Sequence, residues 1–352
     1  MNAPFPMVRE MTRAVDLRQP DEVARIEAYV ADQAGSVFHR PAWLQAVETG
    51  TGQRARGLVA ERGDRVTGWL PLTEVHSPVF GRMLASSGFA VEGGALAESD
   101  ETALNLITAA EEYALRLSCP TVEVRGGVAG RGWHLRHESH CGFVAPLAVD
   151  DDAQLAAIPR KQRAEVRKSL NINLKVTTGK GSLERLAHYR VYAESVRNLG
   201  TPVFPKALFD AVLDRLDADI LTVWDKGAPV ASVLSLYHDG AVMPYWGGGT
   251  WNARRLRAND RMYFELMLHA RSRGCERFDF GRSKTNSGAY AFKKNWGFGA
   301  EPLSYASWTA PGHEARDADP TSAQHQSRIA LWKKLPLGVA NRVGPIIARG
   351  LG

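Results

Sequence analysis

The sequence predicts a mixed α/β protein built from two copies of one unit, and three observations carry that reading. An amphipathic helix pattern around Trp43, "VFHRPAWLQAVE", is echoed around Phe209 as "VFPKALFDAVLD". Two β-rich runs joined at Arg62-Gly63-Asp64 are echoed by two joined at Asp225-Lys226-Gly227. A glycine-containing stretch, a helix and a short strand then complete each half, in the same order.

Each element has a local reason. The helices place apolar residues three or four apart, and the paired runs show the length and turn chemistry of hairpins. The glycine stretches "SSGFAVEGG" and "YWGGGTWN" lead into "ETALNLITAAEEYALRLSC" and "DRMYFELMLHARSRGC", with Asn259 or Asp260 expected as N-cap of the latter. The strands "TVEVRGG" and "RFDFGRS" follow. A hairpin feeding a sheet, with a helix crossing to a further strand, is a mixed α/β arrangement. Residues 1–150 are expected to form an N-terminal domain and 151–310 a C-terminal one. Residues 311–352 read as a polar linker, expected to be mobile from "PGHEARDADPTSAQHQ", and a basic amphipathic tail.

Composition narrows the class. The 352 residues are 44% hydrophobic and 23% charged, enough for two cores. A net charge of +6 suits phosphate-bearing or acidic partners. Cys119, Cys141 and Cys275 are too few and too dispersed for a disulfide framework, which fits a reducing compartment. The N-terminus has no apolar signal core and no run is long enough to span a bilayer. A cytoplasmic protein is expected.

Four constellations could carry chemistry. His134, His137, His140 and Cys141 cluster in "WHLRHESHC", but no second pair stands at metal-ligand spacing, so a polar hairpin is the simpler reading and no metal site is expected. In "PRKQRAEVRKSL", Arg160, Arg163 and Arg167 share one helix face with Lys161 alongside; this is either a phosphate contact or a solvated basic face. In "PYWGGGTWNARRLRANDRMYF", Trp246, Gly247, Gly248 and Gly249 precede a helix start at Asn259, where backbone amides could meet a phosphate or carboxylate, or the glycines could simply make a turn. The fourth is "FDFGRSKTNSGAYAFKKNWGFG". Asp279 faces away from Phe278 and Phe280. Arg282, Ser283 and Lys284 follow at the strand's C-terminal end, where open α/β sheets place ligands. Ser287, Tyr290, Lys293, Lys294 and Trp296 lie on or beside a short helical piece, with Tyr290 and Lys293 or Lys294 on one side and Trp296 and Phe298 closing the loop against water.

The blocks "IPRKQRAEVRKS", "YWGGGT…ANDRMYFELMLHARSRGCERFDFGRSK" and "SGAYAFKKNWGF", spread over residues 153–308, resemble the FemAB-related acyltransferases, and most of all the branch associated with PEP-CTERM/exosortase and exopolysaccharide clusters. The resemblance implies two tandem GNAT-like acyl-CoA N-acyltransferase domains and transfer of an acyl or aminoacyl group to an amine. FemAB enzymes of peptidoglycan synthesis use aminoacyl-tRNA and carry a Tyr-x-Phe-Lys motif with a following glycine at the reacting centre. Here the motif stands as Tyr290, Phe292, Lys293 and Gly297, so the resemblance gives Lys293 that role. The chain lacks the helical-hairpin arm of some FemAB proteins, and the first-domain residues that hold a nucleotide-linked precursor find no match.

On that reading acyl transfer proceeds without a covalent enzyme intermediate, since no GxSxG or Cys–His pairing supplies a nucleophile. Lys293 assisted by Arg282 would face the oxyanion, Asp279 would orient or deprotonate the amine, and Tyr290 would protonate the leaving group. The donor, aminoacyl-tRNA or acyl-CoA, is a cosubstrate rather than a resident cofactor, and the acceptor is a small-molecule or lipid-linked sugar. Two alternatives remain: an acyl-CoA-dependent GNAT-type N-acetyltransferase of an amino sugar, and a non-catalytic binder of anionic glycan or nucleotide-sugar. The tail 327–352 mixes apolar residues with Lys333, Lys334, Arg342 and Arg349, and is read either as a peripheral contact with an anionic membrane at its inner face or as packing onto the protein body.

Overall fold

A computed structural model describes residues 9–78, 80–315 and 326–352; most of the polar linker, residues 316–325, lies outside them. The chain forms two compact units. The first takes the described residues through Arg136 together with 304–315 and Gly350–Gly352, and the second takes His137–Leu303 and 326–349. Residues 137–150, grouped with the N-terminal half on sequence, thus sit in the second unit.

In the first unit β1 (Glu10–Ala14), α1 (Pro20–Asp32) and α2 (Pro41–Thr51) precede a hairpin of β2 (Arg54–Arg62) and β3 (Arg65–Ser77). Then come β4 (Gly81–Ser86), the short β5 (Leu96–Ala97), α3 (Asp100–Arg116) and β6 (Thr121–Arg125). The connecting chain carries β7 (His134–Gly142), β8 (Val144–Pro146), α4 (Asp151–Ala157) and α5 (Arg160–Leu170). The second unit continues with β9 (Lys175–Gly179), α6 (Ser182–Leu199), α7 (Lys206–Arg215), β10 (Ala218–Asp225), β11 (Ala228–His238) and β12 (Ala241–Gly249). It ends with α8 (Ala253–Leu256), α9 (Ala258–Ser272), β13 (Arg277–Asp279), β14 (Ser283–Lys284), α10 (Gly288–Asn295), β15 (Glu301–Thr309), α11 (Gln326–Lys334) and α12 (Leu337–Ala348).

The predicted duplication is present in six strands of each sheet. In one, a sheet of nine strands in all, they run β1-β2-β3-β4-β6-β15, and in the other, of six, β9-β10-β11-β12-β13-β8. In each, the strand before the crossover helix is parallel to the strand after it: β4 with β6, and β12 with β13. The sixth position is filled antiparallel by β15 in the first sheet and β8 in the second. Sequence reading missed this exchange: β8 has only three residues, and β15, with nine, falls in the half of the sequence assigned to the C-terminal domain. Both hairpin turns are of the primed kind that matches strand twist: Gly63 has φ +65° at the first turn position, while Lys226 and Gly227 have φ +50° and +82°.

Helix α3 shows why the crossover helices pack. Ser99 caps it by accepting from the Thr102 amide, Asp100 and Glu101 complement its dipole, and Ala103, Leu106, Ile107, Ala110 and Ala114 face the sheet. Helix α9 begins differently from the expectation. Its N-cap is Arg257, in the left-handed region at φ +48°, and Asn259 and Asp260 lie inside the first turn. The one-turn α8 just ahead of it shifts the cap upstream. The segment between the two halves is helical: Asp150 caps α4, and α5 buries Gln162, Val166 and Ser169 against α9.

The three glycines at the end of β12 are packed by the protein itself. A Cβ on Gly247 would lie 2.9 Å from Val233, one on Gly248 2.3 Å from Ser195 Oγ, and one on Gly249 2.5 Å from Asn259 Oδ1. Helix α6 and the start of α9 can approach the strand because no side chain intervenes. Gly248→Ala should therefore cost about 1–3 kcal/mol through overpacking. In a denaturant-melt cycle with Ser195→Gly, the two changes should couple by about 1 kcal/mol or more. Strictly additive effects would mean that α6 yields without strain.

Candidate active site

The strand β13 delivers Phe278 and Phe280 into the core of the second unit, their rings edge-to-face at 4.9 Å, with Asp279 between them. The chain then turns sharply at Gly281, φ +65°, where Asp279 Oδ1 accepts from the Gly281 amide at 2.7 Å. Beyond the turn, β14 pairs Ser283 with Cys141 and Lys284 with His140. Ser287 caps α10 by accepting from the Tyr290 amide. Two turns later Lys293 points back, and its Nζ donates to the carbonyls of Gly281 at 3.2 Å and Arg282 at 2.9 Å.

This lysine is buried. Its Nζ stands 5.2 and 5.8 Å from the ring centroids of Phe143 and Phe280, close enough for cation–π attraction. Burial pushes its pKa down to about 8; Asp279 opposes that shift and Arg282 adds to it. Tyr290 meets the edge of the same Phe143 ring at 5.4 Å. Lys294, the alternative on sequence, is exposed. Trp296 is buried among Phe280, Phe292 and Tyr263.

Three of the residues chosen on sequence hold buried polar atoms without a protein partner: Asn259 Oδ1, Ser283 Oγ and Trp296 Nε1. Buried polar atoms are normally satisfied, so each of these orphans fits a place where a ligand supplies a partner. The opening is also present in the backbone. Strand β12 pairs with β13 only at Ala241 and Val242, and from Met243 to Gly249 the edge on that side has no strand partner among the described residues. The two strands therefore part at their C-terminal ends.

Other candidates are drawn to the same region by contacts that the sequence does not announce. Pro159 lies 3.0 Å from the position of a Cβ on Gly297, just past α10. Gln162 Nε2 donates to Asp260 at 2.6 Å, and Glu165 pairs with Arg257 at 2.5 Å. Helix α5 is thereby fixed to the start of α9, with Arg160, Lys161 and Arg167 exposed on its outer side. Arg163 donates to the Ala156 carbonyl and serves its own helix junction. Trp246, chosen as a ligand contact, packs on Phe209, Tyr245 and Phe204 as core.

Two residues of the site were missed. Phe143, fully buried, accepts from the Phe280 amide through its carbonyl and lies under Lys293. Tyr263 bridges the glycine strand to the α10 cluster: its hydroxyl is 3.4 Å from the Cβ position of Gly247 and its ring 4.9 Å from that of Phe280. Each sits in an ordinary apolar context, and nothing in the sequence separates it from core.

A cavity of about 360 Å³ lies at the other end of β12, lined by Asp217, Tyr237, Asp239, Arg273 and Cys275 among others. Its groups satisfy one another. Tyr237 donates to Asp219, His269 Nε2 lies 2.8 Å from the same carboxylate, and Arg273 pairs with Asp217 while stacking 3.6 Å over the Tyr237 ring. Ion pairing within the fold accounts for that hollow. The three histidines and Cys141 lie along β7, where alternation puts His137 and Cys141 on the face opposite His134 and His140. Among the described residues no cluster of His, Cys, Asp and Glu is placed to hold a metal ion.

Residues 156–294 match the family described as "Acetyltransferase (GNAT) domain". No curated protein matches the sequence. Among solved structures the chain is similar to FemX, with TM-score 0.62, 14% identity, and 84% of this chain and 96% of that one covered. It is similar to a tandem GNAT protein of the clavulanic acid biosynthesis pathway, with TM-score 0.57, 9% identity, and 87% and 100% covered. It also resembles the C-terminal DUF2156 domain of a candidate lysylphosphatidylglycerol synthetase from Agrobacterium fabrum, with TM-score 0.55, 14% identity, and 82% and 91% covered.

The geometry of Lys293 makes a stability prediction. A pKa lowered from 10.5 to about 8 means that holding the charged amine inside costs about 3 kcal/mol below pH 8. That cost is relieved as pH rises from about 8 to 10.5, where the unfolded chain still binds the proton and the folded one does not. In denaturant melts the wild type should gain stability relative to Lys293→Met across that interval. A difference independent of pH would show that the amine is not buried in its charged form. The chain is an acyltransferase of mixed α/β fold whose residues 156–294 match the GNAT acetyltransferase domain family.

Proposed function

We propose that the second unit transfers an acyl or aminoacyl group to an amine on a cell-envelope or exopolysaccharide precursor, by direct attack and without a covalent enzyme intermediate. The observation that carries this reading is the buried Lys293 ammonium, held by two carbonyls at the mouth of the parting strands. Two of its three N–H groups are engaged, and the third is available to a developing oxyanion. At pH 7 a group with a pKa of about 8 is about nine-tenths protonated, which suits electrostatic stabilisation better than proton abstraction. Arg282 adds positive potential, Asp279 orients the attacking amine and takes the proton it loses as the new N–C bond forms, and Tyr290 protonates the leaving group as its bond to the carbonyl breaks. Asn259, Ser283 and Trp296 offer polar atoms to the donor or acceptor, and the cations of α5 meet the phosphates of the donor. The residues that resemble the PEP-CTERM-associated FemAB branch favour a lipid-linked sugar acceptor at the inner face of a membrane.

Loss of a charge-stabilising donor costs about 100- to 1000-fold in rate. Lys293→Met should therefore lower kcat by at least about 100-fold with little effect on KM. In the wild type kcat/KM should fall as pH rises through about 8. A rise through the same interval would make Lys293 a base and overturn the oxyanion assignment.

A second reading, acyl-CoA-dependent N-acetylation of an amino sugar, is favoured by the match to an acetyltransferase domain. A screen of labelled acetyl-CoA and labelled aminoacyl-tRNA against amine-bearing sugars separates the two, the aminoacyl donor being expected to label product. Glycan binding measured by calorimetry, with no transfer from either donor, would leave only a binding protein.

A further inference from the structure

The helices α11 and α12 belong to the second unit and pack on α6. The contact is close: Gly344 lies against Val203, Gly200 lies against Ile329, and Arg197 donates to the Lys333 carbonyl. On α12 the inward stripe is Ala340, Gly344 and Ala348, all buried. The opposite stripe is where a surface helix normally carries polar groups. Here it carries Val339, Val343 and Ile346, at 45%, 39% and 58% exposure, with Leu331 of α11 at 66%. These are spaced i, i+4 and i+7, one continuous ridge.

The charge around that ridge has one sign. Residues 320–352 contain no Asp or Glu. Lys333, Lys334, Arg342 and Arg349 are exposed. A second copy seated on this ridge would bring the two sets of cations together, which disfavours a symmetric dimer here. An anionic surface complements both the apolar ridge and its cations. Helix α12 has 12 residues and spans about 18 Å, too short for a hydrocarbon core of about 30 Å. Among the described residues no helix is long and apolar enough to cross a membrane.

We propose that the outer face of α11 and α12 docks this protein on an anionic bilayer. The helix lies in the interface plane with Val339, Val343 and Ile346 inserted and the four cations among the lipid headgroups. The inference stands apart from the chemistry assigned to Lys293. The occupant is a lipid surface rather than a protein, and vesicles are the probe.

The full chain should float with vesicles of 70% phosphatidylcholine and 30% phosphatidylglycerol at low salt. Binding should weaken at least tenfold with pure phosphatidylcholine and fall steeply at 0.5 M salt. Val343→Glu with Ile346→Glu should abolish flotation while leaving the melting curve and activity on a soluble acceptor unchanged, because both side chains are exposed. Leu104→Glu, at an exposed leucine on the first unit, should leave flotation intact. Three outcomes would overturn the proposal: no flotation of the wild type with anionic vesicles, undiminished flotation of the double variant, or a wild-type dimer that the double variant converts to monomer in size-exclusion chromatography.

Discussion

One constraint organises the second unit: a primary amine sits inside an aromatic shell and has to be held there. Water cannot solvate Lys293, so two backbone carbonyls and two ring faces do. For those carbonyls to converge, the chain must reverse within one residue of the strand end, which requires the positive φ of Gly281 and the hydrogen bond from its amide to Asp279. For the lysine to reach them, α10 must start at a fixed place, and the Ser287 cap sets that start. Gly297, φ +92°, then ends the helix against Pro159. The motif is therefore a single mechanical object, in which a turn, a helix cap and a helix stop set the position of the amine.

The first unit shows the same sheet put to a different use. Its equivalent strand, β6, ends in a buried cation, Arg125, but that guanidinium is already committed. It pairs with Glu123 and donates to the carbonyls of Ala90 and Gly352. A guanidinium that is ion-paired and bonds protein groups through all three of its nitrogens serves the fold. Lys293 keeps one donor in reserve. The two halves differ less in architecture than in whether the strand-end cation is fully paired, which agrees with a Tyr-x-Phe-Lys motif in only one of them.

Much of this was legible in the sequence because it is local. Hairpin turns are written in Gly63 and Lys226-Gly227, helix faces in the spacing of Ala103, Leu106 and Ala110, and the strand-end loop in its run of Gly, Asp, Ser and Lys. What failed was long-range or context-dependent. The exchange of β8 and β15 depends on which edge each segment reaches, and neither the three residues of β8 nor the nine of β15 carry an address for it. The cap of α9 moved to Arg257 because α8 reset the backbone ahead of it. Gly247–Gly249 read as a ligand cradle or a simple turn, and only the nearness of Ser195 and Asn259 shows that they are packing positions. Phe143 and Tyr263 matter through what they touch, which composition does not encode.

The choice of lysine over arginine follows from the same burial. A guanidinium stays charged at any accessible pH and spreads its five donors in a plane, so it suits the paired, structural position of Arg125. An ammonium is compact enough to stand between Phe143 and Phe280, and its three donors point in different directions. Two of them are anchored on the carbonyls of Gly281 and Arg282. Its pKa responds to the environment, and the shell lowers it to about 8 rather than to neutrality because Asp279 sits close enough to oppose desolvation. A deeper pocket without that carboxylate would discharge the amine at pH 7, and a shallower one would let water weaken its field. The depth of Lys293 and the nearness of Asp279 thus work as a pair: the first keeps water from weakening the field of the charge, and the second keeps that charge present at neutral pH.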